Sequence, residues 1–378
     1  MVGVQIYATW TQTRKVNGDI VTEKVKSLIS KWKSGKFLPL TLRPWSINSF
    51  ALSKVWFKCG SVDLRIGDIS AINSSIKSWL YADLLVKPSE AVMCRPASYG
   101  GLNVASVKYK ALATLIRTFL ETAAIPQFRH SLYHTSLYRF HVLDDTSLPN
   151  PGLPPYYSGE FFSLIKFVKN EKQMDILQMK TGQWTKVLTE NGLTGVGLDG
   201  QLVPCRAEVA SPSSDWDNIW RLCRLNGLDS ELASFNFKLL HGLLITRKGL
   251  VRLNPSLDTN CTLCTDHTED SLVHSFIECS FNNGMGQSLL QMAKSFVTDI
   301  TPEAMLRLEF SDLPNDTELP FMIICSTVLQ CIWEGRKSET RIFPFVIRCQ
   351  LEAKCQLLRE TRFQNEANIF NELIQLLR

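Results

Sequence analysis

Residues 261–279 read Cys261-Thr-Leu-Cys264-Thr-Asp-His-Thr-Glu-Asp-Ser-Leu-Val-His274-Ser-Phe-Ile-Glu-Cys279, and the rest of the chain is interpreted from this stretch. Two thiols separated by two residues can reach one ion from a tight loop. Nine residues separate Cys264 from His274, and four more separate His274 from Cys279. Three thiolates and one imidazole form one of the closed ligand sets that Zn²⁺ takes in structural sites. The spacing therefore predicts a structural zinc site with Cys261, Cys264, His274 and Cys279 as its ligands.

A second histidine in the same stretch leaves the ligand choice open. His267 is a competing ligand, and the sequence does not exclude it. We prefer His274, because it lies in an apolar stretch predicted to be helical from Asp270 or Ser271 and stands at a usual ligand distance from Cys279. The alternative to a metal site is four unrelated residues, since free cysteine is often a small buried hydrophobe. The combined spacing disfavours that alternative.

Outside this stretch, apolar residues recur at helical spacing along much of the chain. The run 232–244 carries a stripe that would supply apolar surface beside the metal loop: Phe235, Leu239, Leu240, Leu243 and Leu244. The same periodicity predicts helices over 21–32, 46–59, 68–85, 108–122, 319–333, 345–358 and 367–377. The predicted fold class is all-α, with a small Cys₃His zinc module and a C-terminal helical bundle.

Two stretches indicate boundaries between regions. Residues 148–158 contain four prolines, which cannot continue a helix. Residues 192–214 are rich in Gly, Ser and Pro and lack periodic apolar spacing. We therefore predict a basic helical region over 1–147, a linker with short helices over 148–214, a zinc module over 215–285 and a helical region over 286–378.

Charge is distributed unevenly along the chain. Residues 1–150 contain 19 Lys and Arg against 9 Asp and Glu, whereas the remainder contains 22 against 27. A basic half is a candidate for binding a polyanion, because lysine and arginine contact phosphates while tryptophan stacks on bases. The predicted nucleic-acid-binding residues are Lys31, Trp32, Lys33, Lys36, Arg43, Trp45, Lys54 and Lys58.

The predicted helix over 46–59 carries part of this set. We expect an inward face of Ile47, Phe50, Ala51, Val55 and Phe57, and outward-facing Lys54 and Lys58. Taken alone, residues 1–58 favour the alternative of two ordinary amphipathic helices with solvated lysines and buried tryptophans, because charged faces are normal on helix surfaces.

Cysteine usage and the chain start indicate the compartment. Eleven cysteines, an odd number scattered over a chain of this size, indicate a reducing environment. The N-terminal residues show no basic region followed by an apolar one, so no secretory signal is visible. The longest apolar run, 319–333, falls short of the roughly 20 residues that span a bilayer. We expect a cytoplasmic and/or nuclear protein, not secreted, without a membrane or small-molecule substrate as partner.

One tetrapeptide, Tyr81-Ala82-Asp83-Leu84, is similar to the polymerase sequence Tyr-x-Asp-Asp. A two-metal phosphoryl-transfer site uses two adjacent carboxylates, and Leu84 stands where the second would be. We therefore interpret Asp83 as part of an ordinary helix end and expect no catalytic residues.

The order of signals around the cysteines resembles a known family. The succession is Trp216-x₃-Trp220, Phe235-x-Phe237-Lys-Leu-Leu-His-Gly-Leu-Leu-Ile-Thr246, the cysteine pair and Glu269-x₄-His274-x-Phe276-x₂-Cys279. It resembles, over about residues 215–285, the zinc-binding module near the C-terminus of non-LTR (LINE-type) retrotransposon reverse transcriptases. Trp333-Glu-Gly-Arg336 is similar to the Trp and Arg that often follow that module.

The basic region resembles another part of the same polyprotein. Its segments Trp32-Lys-x-Gly-Lys-Phe-Leu-Pro-Leu-Thr-x-Arg43, Asn48-Ser-Phe-Ala-Leu-Ser-Lys-Val-Trp56 and Pro96-x₃-Gly100-Gly101-Leu102 are similar to the thumb and post-thumb region. The resemblance implies a thumb-like domain that contacts RNA or DNA. It also implies a C-terminal fragment without the endonuclease and the polymerase aspartates, and hence no enzyme.

Two functions from different classes follow from these observations. The first is a non-catalytic protein that binds RNA and/or DNA through its basic N-terminal half and holds a structural Zn²⁺. The second is a purely structural or protein-interaction remnant of a degenerate retroelement, in which zinc stabilises the fold and the basic face is ordinary surface.

Overall fold

The computed structural model describes residues 4–32, 37–125, 168, 178–192, 211, 214–310, 313–361 and 363–375. Lys33 and Lys36, the proline-rich residues 148–158 and most of the predicted linker lie outside these ranges. Where the chain is described, helices dominate, and the one β pairing is an isolated antiparallel bridge between Asn260 and Glu269. The prediction of an all-α fold is confirmed.

The N-terminal part of the structure is a group of helices around one apolar core. Its helices are α1 (Trp10–Lys31), α2 (Arg43–Ser46), α3 (Ser53–Cys59), α4 (Ile66–Leu80), α5 (Glu90–Cys94) and α6 (Val107–Ala124), followed by α7 (Thr181–Gly192). Helix α1 packs on α3 and α4, and α6 packs on α3, α4 and α7. Val25, Ile47, Val55 and Ile76 are fully buried in this core.

A second group of helices surrounds the metal-ligand stretch. It comprises α8 (Trp216–Leu222), α9 (Ser230–Leu240), α10 (Arg247–Leu250), α11 (Met285–Lys294), α12 (Pro302–Leu306), α13 (Asn315–Lys337), α14 (Pro344–Arg359) and α15 (Gln364–Gln375). The long helix α13 packs against α9, α11, α14 and α15. Residues from both 215–285 and 286–378 form one core, so the predicted zinc module and C-terminal region share their apolar interior.

Helix α9 contributes to both cores. Asp229 caps its start, where its side chain accepts hydrogen bonds from the first-turn N–H groups. Phe235 and Leu239 belong to the C-terminal core, whereas Phe237 and the following Leu243 belong to the N-terminal core. A helix that is apolar on two faces holds the two helix groups together.

The two helix groups also meet where the backbone of Gly100 lies close to His241 and Trp220. His241 is buried and its Nε2 lies 2.7 Å from the carbonyl oxygen of Gly100. The imidazole stacks on Trp220, with ring centroids 5.2 Å apart. Gly100 adopts φ +73°, and a Cβ at this position would lie 2.4 Å from the Trp220 ring. Only glycine fits there, because the left-handed conformation and the ring both exclude a side chain.

The segment between Arg43 and Cys59 differs from the predicted helix in which side chains face the core. A π-helical turn, Ile47–Ala51, separates α2 from α3 and widens the helix locally. The buried apolar residues of the segment are Ile47, Ala51, Leu52, Val55 and Cys59, whereas Phe50 and Phe57 are exposed and Lys58 is buried. The predicted burial of Phe50 and Phe57 and the predicted exposure of Lys58 are therefore wrong.

Candidate metal centre

The first half of the metal-ligand stretch is a short pair of antiparallel segments. The N–H of Cys261 donates to the carbonyl of Thr268 over 2.8 Å, and the N–H of Asp270 donates to that of Thr259 over 2.8 Å. His267 lies in the connecting turn with φ 49° and is exposed. This pairing sets Cys261 and Cys264 opposite the start of the following helical turn.

The second half is a π-helical turn, His274–Glu278, where we had expected a regular helix. Just before it, the hydroxyl of Ser271 accepts a hydrogen bond from the N–H of His274 over 3.1 Å. The N–H of Cys279 donates to the carbonyl of His274 over 2.9 Å, so these residues lie one wide turn apart. Four intervening residues thus bring both side chains to the same side of the turn.

The four predicted ligands lie together. Their ligand atoms are all within 4.8 Å of one another. The sulfurs of Cys261 and Cys279 are 3.9 Å apart, and Cys264 Sγ is 3.5 Å from His274 Nε2. A sulfur separation of this size is far longer than a disulfide bond of about 2.05 Å. This cluster can hold a metal ion, and the exposed His267 is not part of it.

The histidine is oriented by a neighbouring hydroxyl. Thr268 Oγ1 lies 2.9 Å from Nδ1 of His274 and 3.4 Å from Nε2. A hydrogen bond from Nδ1–H to this hydroxyl leaves the lone pair of Nε2 available to the cluster, where Cys264 Sγ lies 3.5 Å away. Such a partner on the other ring nitrogen is the usual way in which a metal-ligating histidine is fixed.

An arginine from the C-terminal part of the chain reaches the cluster. Arg336, in the last turn of α13, is 9% exposed. Its Nη1 donates to the sulfur of Cys279 over 3.2 Å, and its Nη2 lies 3.6 Å from the sulfur of Cys261. The same Nη2 donates to Asp270 Oδ1 over 2.6 Å, which makes a buried ion pair. A positive side chain beside two sulfurs stabilises them as thiolates.

Asp270 connects this arginine to the metal loop. Its carboxylate also accepts hydrogen bonds from the hydroxyl of Ser275 over 2.7 Å and from the N–H of Arg247 over 3.0 Å. The buried carboxylate therefore has partners from α10, from the π-helical turn and from α13, which holds these three segments around the cluster.

The thiols of the cluster influence one another's ionisation. Burial raises the pKa of Cys261, but hydrogen bonds from Arg336 and from backbone N–H groups outweigh burial and lower the pKa to about 6. Burial, together with the neighbouring Cys261 and Cys279, raises the pKa of Cys264 to about 12. Several negative charges within a few ångströms repel each other, so a bound divalent cation would favour full ionisation.

The predicted nucleic-acid-binding residues have three different environments. Lys31 and Lys54 are exposed, and Trp45 is 66% exposed. Trp32 is half-buried and packs against Trp79 at a centroid distance of 5.0 Å. Arg43 and Lys58 are buried, and Lys33 and Lys36 lie outside the described residues.

Arg43 is removed from the nucleic-acid set because its guanidinium is held inside the fold. Its Nε donates to the carbonyl of Leu38 over 2.9 Å, and its Nη1 donates to the carbonyl of Leu80 and to Asp83. Asp83 pairs in turn with Lys238 on α9 over 2.8 Å. The aspartate of the polymerase-like tetrapeptide therefore makes a structural ion pair between the two helix groups.

Lys58 is removed for the same reason. It is 6% exposed, and its Nζ lies 3.3 Å from Asn17 Oδ1. Burial, and secondarily the charge of Lys24, lower its pKa. A lysine that faces the core across the shifted turn of α3 cannot contact a phosphate in solution.

Three residues of interest were outside the predicted sites. Phe50 and Phe57 are 50% and 69% exposed beside Lys54, in and after the π-helical turn. Arg336 contacts the cluster from 57 positions beyond Cys279. Its only sequence signal was its place in Trp333-Glu-Gly-Arg336.

Two comparisons with known proteins find no match for the sequence. No protein-family model and no curated protein matches the sequence. No helix in the described part of the chain combines the length and apolar character needed to cross a membrane.

Proposed function

We propose that the chain is a non-catalytic nucleic-acid-binding protein of the kind implied by its resemblance to LINE-type reverse transcriptases, built on a structural zinc centre. The observation that supports it best is the combination of a four-residue ligand cluster with an exposed basic and aromatic surface in the other helix group.

Zinc is the ion that suits the cluster best. Bond lengths of about 2.3 Å to sulfur and 2.0–2.1 Å to nitrogen in a tetrahedron separate two sulfurs by about 3.8 Å, and sulfur from nitrogen by about 3.5 Å. One sulfur–sulfur distance and one sulfur–nitrogen distance in the cluster are 3.9 Å and 3.5 Å, and all ligand atoms lie within 4.8 Å of one another. Thiolate and imidazole donors favour Zn²⁺ over Mg²⁺ or Ca²⁺, which prefer oxygen. Four protein ligands complete the tetrahedron, as in structural sites.

Elemental analysis of the purified protein tests the zinc assignment. We expect about one zinc per chain, with His267→Ala retaining it and His274→Ala losing it. Cys279→Ser is compared with Cys349→Ser, because Cys349 is exposed and lies outside the cluster. Zinc below half an equivalent in the wild type, or equal retention in Cys279→Ser and Cys349→Ser, would overturn the assignment.

The charge pattern of the N-terminal half supports nucleic-acid binding. Between Glu23 and Asp63 the sequence contains eight Lys and Arg and no Asp or Glu. Among them, Lys24, Lys26, Lys31 and Lys54 are exposed in the structure. Such a surface attracts phosphates and releases their condensed counterions on binding.

Filter binding at several salt concentrations tests this part of the proposal. Affinity for RNA and DNA should fall steeply with salt, with a log–log slope of about −0.7 to −0.9 per phosphate contacted. Lys31→Glu and Lys54→Glu should weaken binding, whereas Lys294→Glu, the same charge change at an exposed lysine on α11, should not. Binding without a salt slope, or equal effects of all three variants, contradicts the proposal.

The second candidate is a structural or protein-interaction remnant without nucleic-acid binding. It is favoured by the burial of Arg43 and Lys58 and by the exposure of large apolar side chains beside Lys54. Retention of metal together with undetectable RNA and DNA binding at low salt would support this candidate over the first.

A further inference from the structure

The exposed side of α2, the π-helical turn and α3 carries three large aromatic side chains and a lysine. We name this group the aromatic stripe and define it as Trp45, Phe50, Lys54 and Phe57. The Trp45 and Phe50 rings meet edge to face at 5.6 Å. Phe50, Lys54 and Phe57 follow at spacings of four and three residues, which share one face of a helix.

This stripe is not needed to form the core. The opposite side of the same segment buries Ile47, Ala51 and Val55 completely. Trp45, Phe50 and Phe57 are 66%, 50% and 69% exposed. Single exposed apolar residues are ordinary, but contiguous large ones indicate a binding surface.

We propose that the aromatic stripe binds single-stranded nucleic acid by stacking unpaired bases on its rings; this rests on the proposed nucleic-acid-binding function and narrows its substrate class. Charge selects a nucleic acid over a neutral apolar partner. Lys54 stands between Phe50 and Phe57, within the sequence that is free of acidic residues from 24 to 62. A base can stack on either ring while its phosphate contacts this lysine.

The chemistry of the rings selects a single strand over a duplex. In a double helix the base faces are stacked on each other, so proteins read base edges and the backbone, and inserting a ring between two base pairs costs a few kcal/mol of unstacking. Phenylalanine has no hydrogen-bonding group for those edges. An unpaired base presents its whole face, and stacking on aromatic side chains is how single-stranded nucleic acids are commonly held.

The dimensions of the stripe fit a short stretch of strand. Phe57 lies seven positions after Phe50, which corresponds to about 10 Å along a helix. At about 3.4 Å per stacked nucleotide, this distance covers about three nucleotides. The stripe therefore holds bases at its two ends, with Lys54 between them.

The test measures fluorescence anisotropy of the full-length, metal-loaded chain with two probes. One is an oligothymidylate of about 16 nucleotides, at the upper end of single-strand site sizes, and the other is a duplex of equal length. We expect at least about tenfold tighter binding of the single strand. Trp45→Ala and Phe57→Ala should each reduce its affinity about 5- to 150-fold, as expected for loss of one stacked base.

The matched control is Phe345→Ala, because Phe345 is 66% exposed on α14 in the other helix group. It should leave the affinity unchanged within about twofold. Trp45→Phe provides a readout that does not depend on affinity: fluorescence quenching by the bound oligonucleotide should be smaller than in the wild type. Because these positions are exposed, unfolding temperatures should agree among the variants.

The outcomes separate this inference from the function on which it rests. Equal binding of duplex and single strand, unaffected by Trp45→Ala and Phe57→Ala, overturns the inference and leaves nucleic-acid binding intact. Absence of binding to either probe at low salt overturns both. A self-association that the two variants abolish, without a preference for single strands, assigns the stripe to a second copy of the chain and also overturns the inference.

Discussion

The metal centre and the aromatic stripe lie in different helix groups and differ in how their side chains are held. All four ligands of the metal centre lie within 4.8 Å of one another, and Thr268, Asp270 and Arg336 orient them. The stripe is open to solvent, and Trp45 and Phe50 contact each other edge to face. The metal centre is therefore a site where contacts within the protein fix the geometry, whereas a partner that bound the stripe would have to order its exposed side chains.

This difference shows that ligand spacing can be predicted from the sequence, whereas the exposure of a charged side chain cannot. Ligand spacing reflects a requirement of the bound ion, so it must be met by the chain locally. The exposure of a lysine depends on packing against distant segments. Arg43 and Lys58 belong to a basic stretch, yet contacts with Asp83 and Asn17 take both of them inside the fold.

Metal removal should have the largest effect on stability. This effect should be confined to the metal centre and should not reach the aromatic stripe. Structural zinc contributes roughly 10–16 kcal/mol of apparent binding free energy in finger peptides, so chelation should unfold residues 259–279. Hydrogen exchange, measured with and without a chelator, should show lost protection there and retained protection in α3. Equal loss of protection in both segments would show that the two sites do not behave independently.

Arg336→Gln should have the next largest effect. The substitution leaves the buried Asp270 carboxylate without its charged partner, which costs about 3–5 kcal/mol in the free energy of unfolding. Urea denaturation of the metal-loaded protein measures it. Arg348→Gln is the control, since the Arg348–Glu352 pair is exposed and should contribute less than about 1 kcal/mol. Similar costs for both variants would show that Arg336 has no special role beside the metal centre.

The free energy of unfolding should depend on pH through His241, which lies at the junction between the two helix groups. Burial, and secondarily the charges of Arg95 and Arg224, lower the pKa of His241 to about 4, although its contact with the Gly100 carbonyl acts in the opposite direction. The unfolded chain protonates this histidine near pH 6.5, so protonation favours the unfolded state. The contribution to stability is complete above pH 6.5 and should fall by about 3 kcal/mol toward pH 4.

Denaturation of the wild type and of His241→Gln across this pH range isolates the contribution of His241, because other titrating groups are common to both proteins. The variant should show a flatter pH profile. Parallel profiles would mean that the histidine is already protonated, or solvated, in the folded protein.

The smallest effect is expected at the stripe itself. Lys54→Ala should change the free energy of unfolding by less than about 0.5 kcal/mol. It should reduce the salt slope of nucleic-acid binding by about one, because one phosphate contact is lost. Lys58→Ala is the paired measurement: its salt slope should equal that of the wild type, because the ammonium group is buried. A reduced slope in Lys58→Ala would place this lysine in the interface after all.

The sequence predicted the helical class and the ligand cluster because both depend on short-range patterns. Leu239 and Leu240 follow a helical period, and Cys261 and Cys264 are separated by a ligand spacing. The exposure of Phe57 could not be predicted, because one π-helical turn shifts the buried face of the segment by a residue. Nor could the contact of Arg336 with Cys279, because it depends on how α13 packs.

The absence of a side chain at Gly100 has a consequence for cooperativity. The Trp220 ring occupies the space that a Cβ would need, and the neighbouring Arg224 donates to the carbonyl of Gly101 over 2.6 Å. Opening either helix group would uncover the indole and the buried imidazole of His241 and break the contact between His241 Nε2 and the Gly100 carbonyl. The two groups are thus expected to melt in one transition, and Gly100→Ala should split it into two.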